Sequence, residues 1–301
     1  MQNDTEYDSF STKDFTVEVY EELLDEFDAV MCEALSMNQF TAGRYVAPHI
    51  GYGSQIFTRL CIHGECLLSS APMSRWFKKD FHFWDLSCIA PHVRAIMEGY
   101  LLYMYISEEP LSENEWKAKL WTMHMNDCSK RLKLMQSMGD FEKANFFETE
   151  RAKISDELNS NRFFLELPSS VRKGCLNGKY LMIYPRDELV LKYGLNKNVF
   201  DNMFDILSNY IHILPISYYS HEANKRGSGL FNDTDLGYMC MCLGIVIHLM
   251  RTCNDRLEAF FPDSGVCRKG KKSTFSPGPK ENLPQLVRER QNRNKKKKRK
   301  K

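Results

Sequence analysis

The sequence predicts an all-α fold, an irregular multi-helix bundle with a disordered basic tail at its C-terminus. Three observations predict it. Apolar residues recur at three- and four-residue steps over several long stretches, no alternating polar and apolar series marks a set of strands, and the residues after Cys267 lose hydrophobicity while gaining Lys and Arg. With 301 residues and 43% hydrophobic content, the chain can bury a substantial core. The expected organisation is a flexible N-terminus over 1–12, one helical domain over 13–267 and a disordered polybasic tail over 268–301.

Ser11 or Thr12 offers a capping side chain for a first helix over 13–37, where Val17, Tyr20, Leu23, Leu24, Phe27, Val30 and Met31 form one stripe. Gly43, Pro48, Gly51 and Gly53 mark a connection, and a second helix is expected over 55–68, ended near Pro72. Asp85 can cap a third helix reaching Ile106, with Pro91 in its first turn or at a kink. Its Leu86, Ile89, Val93, Ile96, Met97, Tyr100, Leu101 and Met104 give the strongest helical periodicity in the chain. Ser112 and Glu115 have capping-box spacing, and helix should run from there to Asn159 with a break near Gly139 and Asp140. Irregular chain is expected from Pro168 to Pro185, with a short extended stretch at Tyr180 to Ile183. Helices over 198–214, stopped by Pro215, and 233–261, stopped by Pro262, complete the fold.

Charge separates body from tail. The 41 basic and 39 acidic residues nearly cancel, but 15 of the basic and only 2 of the acidic ones follow Cys267. Residues 1–267 therefore carry 26 basic against 37 acidic side chains. An acidic body does not make a basic-faced DNA-binding domain. Attraction to a polyanion is expected from the tail, where Lys295, Lys296, Lys297, Lys298, Arg299, Lys300 and Lys301 form an unbroken run. Such a run suits RNA, DNA or anionic lipid without sequence selectivity, or it can fold back on the acidic body.

The ten cysteines are scattered without a Cys-x-x-Cys pair and read as small buried hydrophobes. Met1 to Asp8 is acidic and polar rather than leader-like, so a reducing cytoplasm is the expected location. Met239 to Met250 is the most apolar run. It is too short to span a bilayer and contains His248, so a buried core helix is expected and a transmembrane segment is not. No His-x-x-x-His, Glu-x-x-His or phosphate-binding Gly-rich loop occurs. No metal or other cofactor is expected, and the cluster Cys61, His63 and Cys66 reads as packing.

Two helices carry the candidate chemistry. In the third, Ser87, Arg94 and Glu98 share one side next to the apolar stripe, and an Arg so placed can bury its stem while its fork reaches a carboxylate or phosphate. In the helix over 198–214, Asp201, Asp205, Ser208 and His212 form a polar stripe opposite Phe200, Met203, Phe204, Leu207, Ile211 and Leu214. His212 among acidic neighbours has the chemistry of a general acid or base. With no Gly-x-Ser-x-Gly turn, Ser208 is not a hydrolase nucleophile. The same residues equally suit an interhelical hydrogen-bonding seam.

The segments from Ser87 to Ile106 and from Phe204 to Pro215 resemble a bacterial all-helical family of unknown function, whose members pair an Arg-x-x-x-Glu helix with a later Tyr-x-x-x-Ser-x-x-x-His helix. Phe204 stands where that pattern has Tyr. The resemblance spans roughly residues 61–261 and implies a helical fold and a site at Arg94, Glu98, Ser208 and His212. A more distant analogy is to the HEPN ribonuclease superfamily, whose active helix carries Arg followed after four to six residues by His. Arg44 and His49 meet that spacing, but Pro48 interrupts them. Two functions follow as expectations. One is a stress or phage-defence factor acting on RNA as a metal-independent ribonuclease, with Arg94 as phosphate clamp and His212 as acid or base. The other is a non-catalytic binding or scaffold protein whose polar residues fix helix packing and whose tail binds nucleic acid or anionic membrane. Homo-oligomerisation is compatible with both.

Overall fold

The structure, a computed structural model, describes residues 15–218, 227–273, 275–280 and 283. Among them every regular element is helical and no strand occurs. The flexible segment 1–12, the caps Ser11 and Thr12, and the basic run 295–301 lie outside the described residues. In chain order the α-helices are α1 (Val17–Thr41), α2 (Pro48–Ser70), α3 (Ala90–Ser107), α4 (Glu113–Met138), α5 (Phe141–Ser160), α6 (Arg162–Glu166), α7 (Ser169–Leu176), α8 (Arg186–Lys192), α9 (Lys197–Ile211), α10 (Pro215–Tyr218) and α11 (Asp233–Phe260). The described residues form two compact units, one made of 15–46, 53–103 and those from 196 onward, the other of 47–52 and 104–195.

In the first unit α1 lies along α11. Thr16 caps α1 by accepting a hydrogen bond from the Val19 amide. Tyr20, Phe27, Met31 and Met37 from α1 are buried with Leu243, Val246 and Met250 from α11. Gly64 on α2 leaves room for the Met31 thioether, and a Cβ at Gly99 on α3 would stand 2.7 Å from a Leu60 methyl. At both positions a side chain from a neighbouring helix occupies the space that a Cβ would need. At the end of α11, short 3-10 turns at Pro262–Cys267 and Gly270–Lys272 pack back onto α1. Glu33 anchors them, accepting the Gly270 amide at 2.5 Å and facing Arg268 at 3.5 Å.

By length and composition α11 is long and apolar enough to cross a membrane, yet 61% of its apolar window is buried inside the fold. Asp235 and Asn254 are fully buried on it and are held by polar partners, Tyr210 and Asn232 for the aspartate and the Val30 carbonyl for the asparagine. Buried polar groups of a folded core are paired in this way.

The second unit is built on the hairpin of α4 and α5. Ser112 caps α4 through the Glu115 amide, and Glu115 reaches back to the Leu111 amide, one residue earlier than a standard capping box. Gly139, at φ +73°, ends α4 in the left-handed conformation, and Asp140 then caps α5. The expected break near these residues is thus a tight turn between two helices. Ala118, Met125, Ile154, Leu158, Phe164, Cys175 and Ile183 form this unit's core. Lys119 is 1% exposed, with its ammonium 2.8 Å from Glu115, 3.5 Å from Glu108 and 5.1 Å from the centre of the Tyr105 ring.

Four sequence expectations are corrected. The helix expected over 55–68 starts at Pro48, because proline is pre-shaped for a first helical turn and the glycines at 51 and 53 are absorbed into the helix. Asp85 caps a 3-10 turn, Leu86–Cys88, rather than the third helix itself, which begins at Ala90 with Pro91 in its first turn, one of the two placements expected for that proline. The extended stretch at Tyr180 to Ile183 forms no strand; its backbone bends between α7 and α8, and Asn126 of α4 holds the Gly178 carbonyl at 2.8 Å. The first helix continues past Met37 to Thr41, whose hydroxyl bonds back to the Met37 carbonyl.

Candidate functional site

Arg94 and Glu98 lie on α3, Ser208 on α9 and His212 just past its end, all in the first unit. α9 is capped by Asn196 through the Val199 amide and turns Phe200, Met203, Leu207 and Tyr210 into the core. That leaves Phe204 and Ser208 at the edge of the apolar stripe. Arg94 of α3 crosses to both of them. Its Nη1 donates to Ser208 Oγ at 2.7 Å, and its guanidinium carbon stands 4.2 Å from the centre of the Phe204 ring. On its own helix it faces Glu98, Nε to Oε1, at 3.5 Å. Ser208 Oγ in turn donates to the Phe204 carbonyl at 2.6 Å.

Residues 114 positions apart are therefore joined by a charge-assisted bond, with an aromatic face beneath the cation. Phe204 has a physical role at the position where the resembled family has Tyr: its ring is the platform for Arg94. The guanidinium is occupied by a hydroxyl, a carboxylate and a ring, and its side chain is only 21% exposed.

His212 is not brought into this group. α9 ends at Ile211, and His212 is its C-cap residue, φ −91° and ψ 3°, exposed one turn beyond Ser208. Its amide still bonds to the Ser208 carbonyl at 3.1 Å, but Ile213 at φ +52° and Pro215 then turn the chain away. Ser87 likewise stays with its own turn, bonded to Asp85. Asp201 is engaged by Lys197 of the same helix. Of the predicted stripe, Ser208 is given a partner on another helix, Arg94 of α3.

Sequence reasoning missed two polar groups. The first is Asp28, 3% exposed on α1 and met by Arg75: Nε reaches Oδ2 at 2.5 Å and Nη2 reaches Oδ1 at 2.8 Å. The Trp76 indole donates to Oδ1 at 3.0 Å, and Arg75 continues to Ser276 at 3.1 Å and to the Pro279 carbonyl. A single acidic residue inside an apolar stripe was the available signal. The second is a histidine pair, His63 of α2 and His92 of α3, with Nδ1 atoms 3.3 Å apart. One ring must present N–H and the other a lone pair. Burial holds both below the usual imidazole value, helped at His63 by Arg59 and at His92 by His63 itself.

All ten cysteines are free. Burial raises the thiol pKa of Cys32 and Cys240 to about 12 and pushes those of Cys61, Cys242 and Cys253 well up too, so these side chains stay protonated. Among the described residues no group of three or more His, Cys, Asp or Glu stands in position to hold a metal ion. Two open clefts are lined elsewhere in the first unit, one of about 750 Å³ by Glu26, Arg251 and the segment 268–272, the other of about 650 Å³ by α1 and residues 73–82. Neither contains Arg94, Ser208 or His212.

No protein-family model, curated protein or solved structure matches this chain. The resemblance described above rests on its quoted residues alone.

Proposed function

We propose that this chain is a non-catalytic RNA-binding protein of a reducing cytoplasm, in which Arg94, Glu98 and Ser208 fix the register of α3 against α9 and the basic C-terminus holds phosphates. The observation that carries this reading is the occupation of Arg94: a guanidinium shared among Ser208, Glu98 and the Phe204 ring is spent on helix packing. The acidic composition of residues 1–267 assigns phosphate attraction to the C-terminal basic run. Binding of labelled RNA across a salt series tests it. Replacing residues 295–301 by serine should remove most salt-sensitive retention and flatten the slope of log affinity against log salt. Undiminished retention would refute the assignment.

A second reading, a stress or phage-defence ribonuclease, is favoured by one observation, the exposed imidazole of His212 one turn from Ser208. In it Arg94 would leave Ser208 to clamp a phosphate while His212 moves the proton. Incubation of total RNA with the protein and with His212→Ala separates the two readings. Cleavage that disappears in the variant establishes the enzyme, and equal absence of cleavage supports the binding protein.

A further inference from the structure

Residues 72–84 read Pro-Met-Ser-Arg-Trp-Phe-Lys-Lys-Asp-Phe-His-Phe-Trp, aromatic and basic side chains interleaved. Arg75, Trp76, Lys79 and Trp84 fasten this loop to the rest of the first unit, and a bond between His82 and Met73 closes it on itself. Arg75 and Trp76 hold Asp28, Lys79 donates to the Ser70 carbonyl at 2.7 Å, and His82 accepts the Met73 amide at 3.2 Å. Trp84 bonds through its amide to the Gly229 carbonyl at 3.0 Å and packs on Tyr20 and Phe231. The residues between these anchors face outward: Phe77 is 60% exposed, Phe81 53% and Phe83 60%. Phe81 and Phe83 meet edge to face with centroids 5.1 Å apart. A loop fixed at so many points presents its rings already ordered, so a partner that stacks on them need not restrict a floppy segment first.

The chain's C-terminal segment passes beside this loop. Arg75 bonds Ser276 and the Pro279 carbonyl, and Gly278 lies so close to the Trp76 ring that a Cβ there would be 2.7 Å from it. Pro279 lines the same cleft as Phe77, Lys78 and His82. From Lys280 the sequence continues toward the basic run 295–301.

We infer that the loop at Phe77, Phe81 and Phe83 is a stacking platform for unpaired bases, so that the RNA bound is single-stranded; this rests on the RNA-binding reading above. Unpaired bases offer flat faces to exposed rings, whereas an A-form duplex keeps its bases stacked inside and shows a protein mainly phosphates and 2′-hydroxyls. Lys78, exposed and next to Phe77 in the chain, supplies a cation on the same loop. A membrane surface is the less suitable partner, because Lys78 and Asp80 lie between successive phenylalanines and would have to enter the bilayer boundary with them.

The test is fluorescence anisotropy on the full chain with an unstructured oligoribonucleotide of ~15 nucleotides, a length that covers the usual site size, and with the duplex it forms with its complement. The joint variant Phe77→Ala, Phe81→Ala, Phe83→Ala should keep most of the wild-type Tm, since each ring is more than half exposed, with Phe83 resting on backbone at Gly229. It should lose about tenfold or more in single-strand affinity while duplex affinity stays within about twofold. Tyr at the three positions should retain single-strand affinity, and Leu should not, which separates stacking from mere apolarity. Single-strand affinity within about twofold of wild type in the Ala variant overturns the platform. So does a variant that loses phosphatidylserine-vesicle binding with RNA affinity unchanged, which would assign the loop to membrane. If the wild type binds neither RNA, the RNA-binding reading itself has failed, an outcome distinct from loss of the platform alone.

Discussion

Arg94 donates to Ser208 Oγ at 2.7 Å across the α3 to α9 contact, while the Phe204 ring lies beneath its guanidinium. Ser208→Ala should destabilise the protein by about 1–2 kcal/mol, the usual cost of losing a charge-assisted bond with the cation left part-buried. Arg94→Ala should cost more, because the stacking on Phe204 goes with it. In a double-mutant cycle read by urea unfolding, Arg94 and Ser208 should couple by at least about 0.5 kcal/mol. Additive effects would remove the register role.

Asp28 and Arg75 form a buried ion pair of the first unit, with side chains 5% and 8% exposed. Asp28→Ala leaves the guanidinium uncompensated and deprives the Trp76 indole of its acceptor. The expected loss is about 3–5 kcal/mol in chemical unfolding. Replacing both members by apolar residues of similar volume should recover much of it. A cost below about 1 kcal/mol for the single variant would mean that water reaches the pair.

The His63 and His92 pair makes stability depend on pH in a defined direction. Both rings titrate below the usual imidazole value when folded, so in the acid range the unfolded chain binds more protons than the folded one. Their contribution is complete above the unfolded value near ~6.5 and is lost as pH falls from there through the folded values. The wild type should therefore lose more Tm between pH ~7.5 and pH ~5.5 than the variant His63→Gln, His92→Gln. Parallel Tm curves for the two proteins would contradict this.

Two glycines of the second unit share a left-handed backbone but not its surroundings. Gly139 has open space around it, and Gly139→Ala should cost only about 1 kcal/mol for the backbone conformation. A Cβ at Gly178 would collide with Ser129 and come within 3.0 Å of the Met125 carbonyl. Gly178→Ala should accordingly cost at least about 2 kcal/mol, with the excess over Gly139→Ala reporting the clash. Equal losses in the two variants would remove steric closeness from the account.

The long helices were legible because burial imposes a period on them: Tyr20, Phe27 and Met31 in α1 or Val93, Met97 and Tyr100 in α3 repeat as a packed face must. The start of α2 was not, since Pro48, Gly51 and Gly53 resemble a turn in isolation. Short helices such as α6 and α8 hold too few turns to show a period. At the candidate site, the sequence placed Arg94 and Ser208 each on a suitable face. That they touch depends on how α3 meets α9, which no local pattern encodes. His212 was read as one more step of a helical stripe, but the helix stops one residue short of it. The attachment of the segment after Cys267 was invisible for a different reason. It is made by a backbone amide, an arginine and a buried glutamate rather than by apolar spacing.

Lys119, enclosed by Glu108, Glu115 and the Tyr105 ring, has a chemical corollary. An amine-reactive reagent that labels surface lysines such as Lys143 has no path to its Nζ until the surrounding helices part. The second unit thus contains its own clock, whose labelling rate reads how often that unit opens. The thiols of Cys242 and Cys253 serve the same purpose in the first unit, answering to a different reagent. Amine and thiol labelling followed on one sample would time the opening of each unit separately.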